Sequence, residues 1–303
     1  MIHTPNSQLL VGLPGSGKTT FLAALWYYLR HNRDAGGLAV SKLPSERSYL
    51  NHISDRWVRG EKQIHTTTTR GSIEQVILEL KNRDTNEYTA LSVPDLSGEL
   101  YLQGCANREW DVDFHLLAAN ANGVILFIHP DAVGRAATIA DVASLTAALR
   151  DEPGEATTSH FDPSKSKSFD ISSISAEVIL VDQLQCLIGE PCGHVHLSVA
   201  IVISAWDEIS AEGKTPQSWL RSHATFLSQF LESNCNRLTI EVFGISAQGC
   251  DYDLEQQRVS LLREKNNPID RIDILTEHGH THDITAPIKW LMKTEHDRKE
   301  SSS

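Results

Sequence analysis

The sequence has little positive charge, few cysteines and no long apolar run. Its 303 residues carry 27 Lys and Arg against 39 Asp and Glu, a formal net charge of −12, which argues against a general nucleic-acid-binding surface. The five cysteines are scattered without paired spacing, as expected of reduced thiols in the cytosol. No apolar run reaches the roughly 18 residues of a membrane span, and the first residues lack a signal-peptide pattern. The composition therefore predicts a soluble, cytoplasmic protein.

One stretch, GLPGSGKTT at residues 12–20, lies between an apolar run at 8–11 and a helical apolar stretch at 21–29. It matches G-x-x-x-x-G-K-[ST], the pattern in which the backbone N–H groups of a glycine-rich loop surround the phosphates of a nucleotide. A buried strand before the loop and a helix after it would place those phosphates at a helix N-terminus, which favours negative charge. The candidate nucleotide-binding residues here are Gly12, Pro14, Gly15, Ser16, Gly17, Lys18, Thr19 and Thr20.

Two side chains of this loop have predicted roles in chemistry. Lys18 is expected to reach the β and γ phosphates as a point charge, and the Thr19 hydroxyl to complete the coordination shell of Mg²⁺. Gly15 and Gly17 can adopt backbone angles that residues with a Cβ avoid, so the chain can approach a phosphate closely. The pattern predicts a nucleotide with Mg²⁺ as the ligand.

Around the loop, apolar runs alternate with helical patterns, which is typical of a parallel sheet covered by helices on both faces. We predict one α/β domain over residues 1–303, a three-layer P-loop NTPase fold with a mostly parallel central sheet of about six strands. A mobile insertion is predicted at 151–175 and a surface insertion of one helix plus loops at 249–283. The strands are predicted at 8–11, 76–80, 88–93, 123–128, 197–203 and 238–245, and the later helices at about 138–150, 176–188, 216–233 and 285–293.

A second motif, VPDLSGE at 93–99, follows a predicted strand. Because ligands bind at the carboxyl ends of strands in an open α/β sheet, we expect Asp95 beside the loop, holding Mg²⁺ through water. The Gly98 N–H is expected to contact a γ-phosphate, which would make the segment sensitive to that phosphate. Glu99 has two interpretations: it orients the attacking water, or it is an ordinary residue at a helix N-terminus.

A third stretch, HTTTTRG at 65–71, precedes the strand that leads towards Asp95. A threonine here, with Thr67 and Thr68 as candidates, would bring a hydroxyl to Mg²⁺ and a backbone N–H to the γ-phosphate. The alternative is a β-prone polar lead into a strand. Arg70 is a candidate for stabilising charge on the transferring phosphoryl group, with an ordinary solvated arginine as the alternative.

This arrangement resembles the Ras-like and translation-factor-like GTPases, and VGLPGSGKTTFLAALWYYL at 11–29 is similar to the bacterial double-GTPase family. Small GTPases of that family are encoded in pairs within prokaryotic conflict or antiphage systems. The resemblance extends from residue 9 to about 292 and implies GTP and GDP as ligands, Mg²⁺-dependent hydrolysis and a switch role in antiviral defence. It also implies another GTPase, or an effector of the same system, as the partner.

In the family pattern, an N-K-x-D motif at the end of the fifth strand reads the base, and SAWD stands there at 204–207. Asp207 is retained, and its two oxygens can accept hydrogen bonds from the ring N–H and the exocyclic amine of guanine. The missing lysine removes an apolar wall over the base, which Trp206 is a candidate to replace. Ser246 and Ala247 match the S-A-x turn whose backbone N–H contacts the guanine carbonyl. Together these segments favour guanine over adenine.

Two other functions and a zinc site are alternatives to this interpretation. The alternatives to a GTP-hydrolysing switch are an ATPase subunit and a nucleotide-regulated sensor or scaffold with negligible turnover. The histidine-containing stretches CGHVH at 192–196 and HGHTHD at 278–283 lack the usual spacing of a structural zinc site. We therefore interpret those histidines as polar loop residues.

Overall fold

The computed structural model describes residues 6–32, 37–63, 75–94, 99–133, 174–189, 192–210 and 213–301. Its strands are β1 (Asn6–Gly12), β2 (Leu38–Lys42), β3 (Val76–Asn82), β4 (Tyr88–Val93), β5 (Gly123–Ile128), β6 (Leu197–Ile203), β7 (Leu238–Ser246), β8 (Asp273–Thr276) and β9 (Gly279–Thr281). Its α-helices are α1 (Lys18–His31), α2 (Arg47–Val58), α3 (Glu99–Asn107), α4 (Val112–Ala119), α5 (Ala176–Ile188), α6 (Trp206–Ile209), α7 (Pro216–His223), α8 (Thr225–Ser233), α9 (Glu255–Glu264) and α10 (Ala286–Ser301).

The strands form one sheet in the order β2-β3-β4-β1-β5-β6-β7-β8-β9. Its centre is parallel, because β1 pairs with both β4 and β5, and β6 pairs with both β5 and β7. Both edges are antiparallel: β2 with β3 and β3 with β4 on one side, and β7 with β8 and β8 with β9 on the other. The prediction of about six mostly parallel strands is therefore corrected to a mixed sheet, which has nine strands among the described residues.

The differences at the edges have local causes. Only a short turn joins β3 to β4, and a parallel crossover needs a dozen or more residues, so this pair has to be antiparallel. Strands β8 and β9 have four and three residues, which is too short for a clear alternating pattern. They lie in the segment 249–283, where Ile272 and Ile274 are fully buried, so part of that predicted surface insertion belongs to the core.

Side chains that alternate along the central strands build a core on each face of the sheet. Leu10 of β1 packs on the face covered by α1, α2 and α10. Leu9 and Val11 pack on the opposite face, covered by α3, α4, α5, α7 and α8. Because both faces of the central strands are covered, these strands consist of continuous apolar runs, as the sequence indicated. The central sheet and the helices on its two faces therefore form three layers.

One predicted helix is confirmed, and another is divided into two. The helix at 176–188 coincides with α5, whereas 216–233 is two helices that meet at Ala224. Fully buried Glu177 of α5 accepts hydrogen bonds from the N–H groups of Phe226 and Leu227, at 2.8 and 3.1 Å. This carboxylate satisfies the first turn of α8, so the chain can begin a new helix there.

Two predicted features cannot be compared with the structure. The predicted helix at about 138–150 and residues 151–173 of the predicted mobile insertion lie outside the described residues. Within the part of the chain that is described, no helix combines the length and the apolar character needed to cross a bilayer.

Candidate nucleotide-binding site

The phosphate loop, residues 12–20, connects the end of β1 to α1. Gly15 and Gly17 have φ angles of +72° and +91°, a region that residues with a Cβ rarely adopt. A Cβ on Gly17 would lie 2.9 Å from the Cβ of Ser204, which follows β6. The glycine spacing of the motif therefore allows both the shape of the loop and its close approach to the next segment of the site.

Lys18 is buried, and its ammonium group lies across the loop. Its Nζ donates hydrogen bonds to the carbonyl oxygens of Gly12 and Leu13, at 2.7 and 3.0 Å. Ser16 is also buried, and its Oγ has no hydrogen-bond partner among the described residues. An unpaired buried hydroxyl costs about 1–3 kcal/mol, so a ligand oxygen at this place would remove an existing penalty.

A cavity of about 330 Å³ opens beside the loop. Its lining includes Gly15, Gly17 and Thr20 of the phosphate loop, the base segment 204–207 through Ser204, Ala205 and Asp207, and the base loop 246–248 through Ala247 and Gln248. These three segments follow β1, β6 and β7, whose carboxyl ends lie at one edge of the parallel centre of the sheet. The volume is within the range of small-ligand sites. The structure thus brings three of the predicted motifs to one cavity.

The base loop is held from the other side of the core. The indole Nε1 of fully buried Trp57, in α2, donates to the carbonyl of Ala247 at 2.9 Å. The Arg271 guanidinium lies 5.9 Å from the centre of the Trp57 ring and donates to the carbonyl of Val58 at 2.9 Å. Ser246 Oγ accepts a hydrogen bond from the N–H of Gly249 at 3.1 Å. Both the peptide of Ala247 and the turn that follows it are therefore fixed.

The family model described as Double-GTPase 1 matches residues 9–291. The chain belongs to this double-GTPase family. The match confirms the resemblance found in the phosphate loop and makes the chain a GTP-binding P-loop protein of the GTPase class. No curated protein matches the sequence.

Solved structures that are similar to this chain share only 13–17% sequence identity with it. They include the bacterial selenocysteine-specific elongation factor EF-Sec (15% identity, 87% of this chain and 29% of that chain covered, TM-score 0.32). The signal recognition particle receptor SRb-GTP/SRX complex from Chaetomium thermophilum is similar at 17% identity. The match covers 84% of this chain and 96% of that chain, with a TM-score of 0.38. The structure of sup35 complexed with GDP is similar at 13% identity, with 80% of this chain and 37% of that chain covered and a TM-score of 0.30. The chain spans only about a third of the elongation factor and of sup35, so the family match alone carries the assignment.

The base segment of this double-GTPase departs from N-K-x-D in sequence and contains a residue in an unfavourable backbone conformation. Ala205, at the lysine position, has φ +47° and ψ 40°, a left-handed conformation that is unfavourable for a residue with a Cβ. Trp206 is buried in the core and packs against the backbone of Gly244 in β7. It is not among the described residues that line the cavity, so it does not take the place of the missing lysine. Asp207 is half-buried and does line the cavity.

Sequence reasoning missed several residues in the cavity of this double-GTPase and others that support it. No motif marks Trp57 and Arg271, which act from 190 and 24 residues away from Ala247. The lining also contains residues that no pattern singled out, namely Lys62, His129, Asp131, Glu208, Asp251 and Asp253. Burial, and then the charge of Asp207, raises the pKa of the Glu208 carboxyl. Together with Asp207, the carboxylates in this lining make the base end of the cavity acidic.

Tyr252, which precedes α9 in the chain, supports the base loop. Its hydroxyl donates to the carbonyl of Gln248 at 3.2 Å. Burial raises the Tyr252 pKa to about 12, although Arg271 opposes that shift, so the hydroxyl keeps its proton at neutral pH. The hydrogen bond to Gln248 is thus present over the physiological range of pH.

Several predicted site residues cannot be placed. Asp95, Gly98, Thr67, Thr68 and Arg70 lie outside the described residues, and Glu99 is the exposed first residue of α3. Within the described ranges, no group of three or more His, Cys, Asp or Glu side chains is arranged to hold a metal ion.

The histidines of the two stretches considered for zinc have other polar partners. His194 Nε2 lies 2.8 Å from the carbonyl of Ala118, and His196 Nε2 lies 2.7 Å from Thr239 Oγ1. His280 Nδ1 lies 3.0 Å from both carboxylate oxygens of Asp273. Each of these rings is engaged by ordinary hydrogen bonding.

Proposed function

We propose that this chain binds GTP and Mg²⁺ in the cavity, hydrolyses GTP and acts as a molecular switch in a bacterial antiphage or conflict system in the cytoplasm. The observation that carries the nucleotide proposal is that the phosphate loop, the base segment and the base loop line one cavity. The defence role, and a second GTPase or an effector as partner, are proposed from membership of the family.

The residues present fit the phosphates of the proposed substrate. The unpaired Ser16 hydroxyl and the backbone of Gly15 and Gly17 offer hydrogen-bond donors at the N-terminus of α1. The Lys18 ammonium, already held by two loop carbonyls, contributes a fixed positive charge where negative charge develops on phosphate oxygens during hydrolysis. A charge that is positioned in advance costs no reorganisation at the moment of reaction.

The residues also fit Mg²⁺. Thr19, one residue beyond Lys18 in the first turn of α1, provides a hard oxygen donor of the type that this cation prefers. When bound, Mg²⁺ would neutralise charge on the phosphate oxygens. We propose Asp95 with Thr67 or Thr68 as its further ligands, Gly98 as the contact to the γ-phosphate, and Glu99 and Arg70 as the residues that act on the attacking water and the transferring group.

The test is nucleotide selectivity, measured as the affinities of GTP, ATP and XTP at fixed Mg²⁺ and salt. Wild type should prefer GTP. In Asp207→Asn an amide donor would face a donor of guanine, so GTP should weaken by about 2–4 kcal/mol, or roughly 30- to 1,000-fold. Xanthine has a carbonyl at that place, so the variant should prefer XTP. Asp131→Asn is the matched control, because it removes another carboxylate of the same cavity and should keep the preference for GTP.

The outcomes separate the candidate functions. Preference of wild type for ATP would support the ATPase-subunit alternative, and an unaltered GTP affinity of Asp207→Asn would show that Asp207 does not read the base. Turnover of GTP should be slow, on the order of 10⁻⁴ to 10⁻² per second, as in GTPases without an activating partner. Tight binding of GTP with no turnover at all would support the sensor or scaffold.

A further inference from the structure

The base segment leaves one face of the proposed base site without a long side chain. Ala205 provides only a methyl group at the lysine position, and Trp206 is buried elsewhere in the core. Asp207 can read the edge of a base, but a carboxylate provides no apolar surface for the face of the ring. Another part of the chain has to cover that face if a base is to be held between two walls.

Lys62 enters the same cavity from the segment that follows α2. Among the described residues of the lining it is the only lysine or arginine, and it lies there with Asp251 and Asp253, which follow the base loop. A lysine side chain combines an apolar stem of four methylenes with a terminal charge. It therefore offers the apolar stem and the positive charge that the base segment lacks.

The backbone around Lys62 is held in place. Arg56 of α2 donates to the Lys62 carbonyl at 2.5 Å, and the Gln63 amide donates to the carbonyl of Ile53 at 3.1 Å. Arg258 of α9 donates to the carbonyl of Gly60 at 3.3 Å. Contacts from both α2 and α9 thus fix where the Lys62 side chain leaves the chain.

The Lys62 ammonium forms an ion pair with Asp253. The two side chains remain 63% and 59% exposed, so this pair contributes little to stability and constrains the lysine only weakly. The pair places the charged end of the side chain beside Asp253, in the acidic part of the cavity lining. Because most of the side chain is exposed, its stem is accessible to a flat ligand.

We propose that Lys62 is a base-binding residue that covers the face of the guanine base in place of the lysine missing from the base segment. Its methylene stem packs on the ring, and its ammonium stays with Asp253. This inference rests on the proposed function, because it requires a guanine nucleotide in the cavity.

The test compares the affinities of GMP, GDP and a non-hydrolysable GTP analogue for wild type, Lys62→Ala and Lys62→Met. Removing the stem should weaken all three ligands by a similar factor, about tenfold, because the contact is to the part that they share. Lys62→Met keeps an apolar stem of similar length and should bind within about threefold of wild type. Lys42→Ala is the matched control: Lys42 is a 73% exposed lysine paired with Glu79 at 3.0 Å, outside the cavity lining.

Each other outcome overturns the proposal in a distinct way. Unchanged affinities in Lys62→Ala would show that Lys62 does not touch the ligand, and a loss that grows from GMP to the triphosphate would show a phosphate contact instead. A Lys62→Met variant as weak as Lys62→Ala would show that the charge acts and the stem does not. Failure of wild type to bind any of the three would overturn the proposed function together with this inference.

Discussion

The phosphate end of the cavity is one continuous stretch of nine residues, whereas the base end is assembled from segments that are far apart in the chain. At the phosphate end the contacts are local: Lys18 bonds to Gly12 and Leu13, and Gly15 and Gly17 provide the backbone shape. At the base end the peptide of Ala247 is held by Trp57, 190 residues away. The phosphate end is therefore shaped mainly by contacts within its own segment, whereas the base end depends on a correctly packed core.

The two ends also differ in charge. The phosphate end presents backbone N–H groups and a buried lysine. The base end presents carboxylates, among them Asp207 and Glu208, with Lys62 as the opposing charge. We infer that changes at the phosphate end abolish binding or turnover of any nucleotide, while changes at the base end alter which nucleotide is held and how tightly.

The largest effect is expected for Lys18→Ala. The variant loses a positive charge that is fixed beside the phosphates, so single-turnover hydrolysis of GTP should fall by at least about 100-fold. The loss should be of similar size for any nucleotide that wild type hydrolyses, because the lysine contacts the shared phosphates. Lys42→Ala should hydrolyse GTP as wild type does. Wild-type turnover of Lys18→Ala would remove the phosphate loop from the mechanism.

An intermediate effect is expected for Gly17→Ala, because Gly17 of the phosphate loop lies against Ser204 of the base segment. A Cβ there is strained at φ +91° and lies 2.9 Å from the Ser204 Cβ, so both stability and nucleotide affinity should fall, stability by about 1–3 kcal/mol. Denaturant unfolding and GDP titration measure the two losses.

Gly213→Ala is the control for backbone strain alone. Gly213 has φ +66°, but an added Cβ would meet no atom of the described residues within 4 Å. This control should lose some stability and leave GDP affinity unchanged. If Gly17→Ala behaved in the same way, the close approach of the loop to Ser204 would have no part in binding.

The smallest effect is expected for Trp57→Phe. The change keeps a large apolar ring in the core and removes the hydrogen bond to Ala247, which contributes about 1 kcal/mol. Affinity for GTP should fall a few-fold and the preference for GTP over ATP should narrow, while a ligand without a base, such as inorganic diphosphate, should bind as before.

Trp26→Phe is the matched control for this prediction. Trp26 is buried in the same core, and its Nε1 donates to Asn51 Oδ1 at 2.9 Å, so the variant loses an equivalent hydrogen bond away from the base loop. It should leave selectivity unchanged. Equal selectivity in both variants and wild type would show that α2 does not position the base loop.

The sequence by itself determined the phosphate loop, the family, the apolar strands of the parallel centre and the helix α5. These features depend on residues close together in the chain: glycine angles, a helix N-terminus and continuous apolar runs act over one or two turns or strands. The antiparallel edge formed by β8 and β9 was not evident, since these strands are too short to carry a pattern.

Only the tertiary structure decided how the base end is built. Whether Trp206 faces the cavity or the core depends on the space above Gly244 in the neighbouring strand. Whether Lys62 reaches the base end of the cavity depends on the packing of α2 and α9. Such contacts join residues that are distant in sequence, and their free energy depends on the order of the strands. No local pattern in the chain encodes that order, so these parts of the site became visible only once the sheet was assembled.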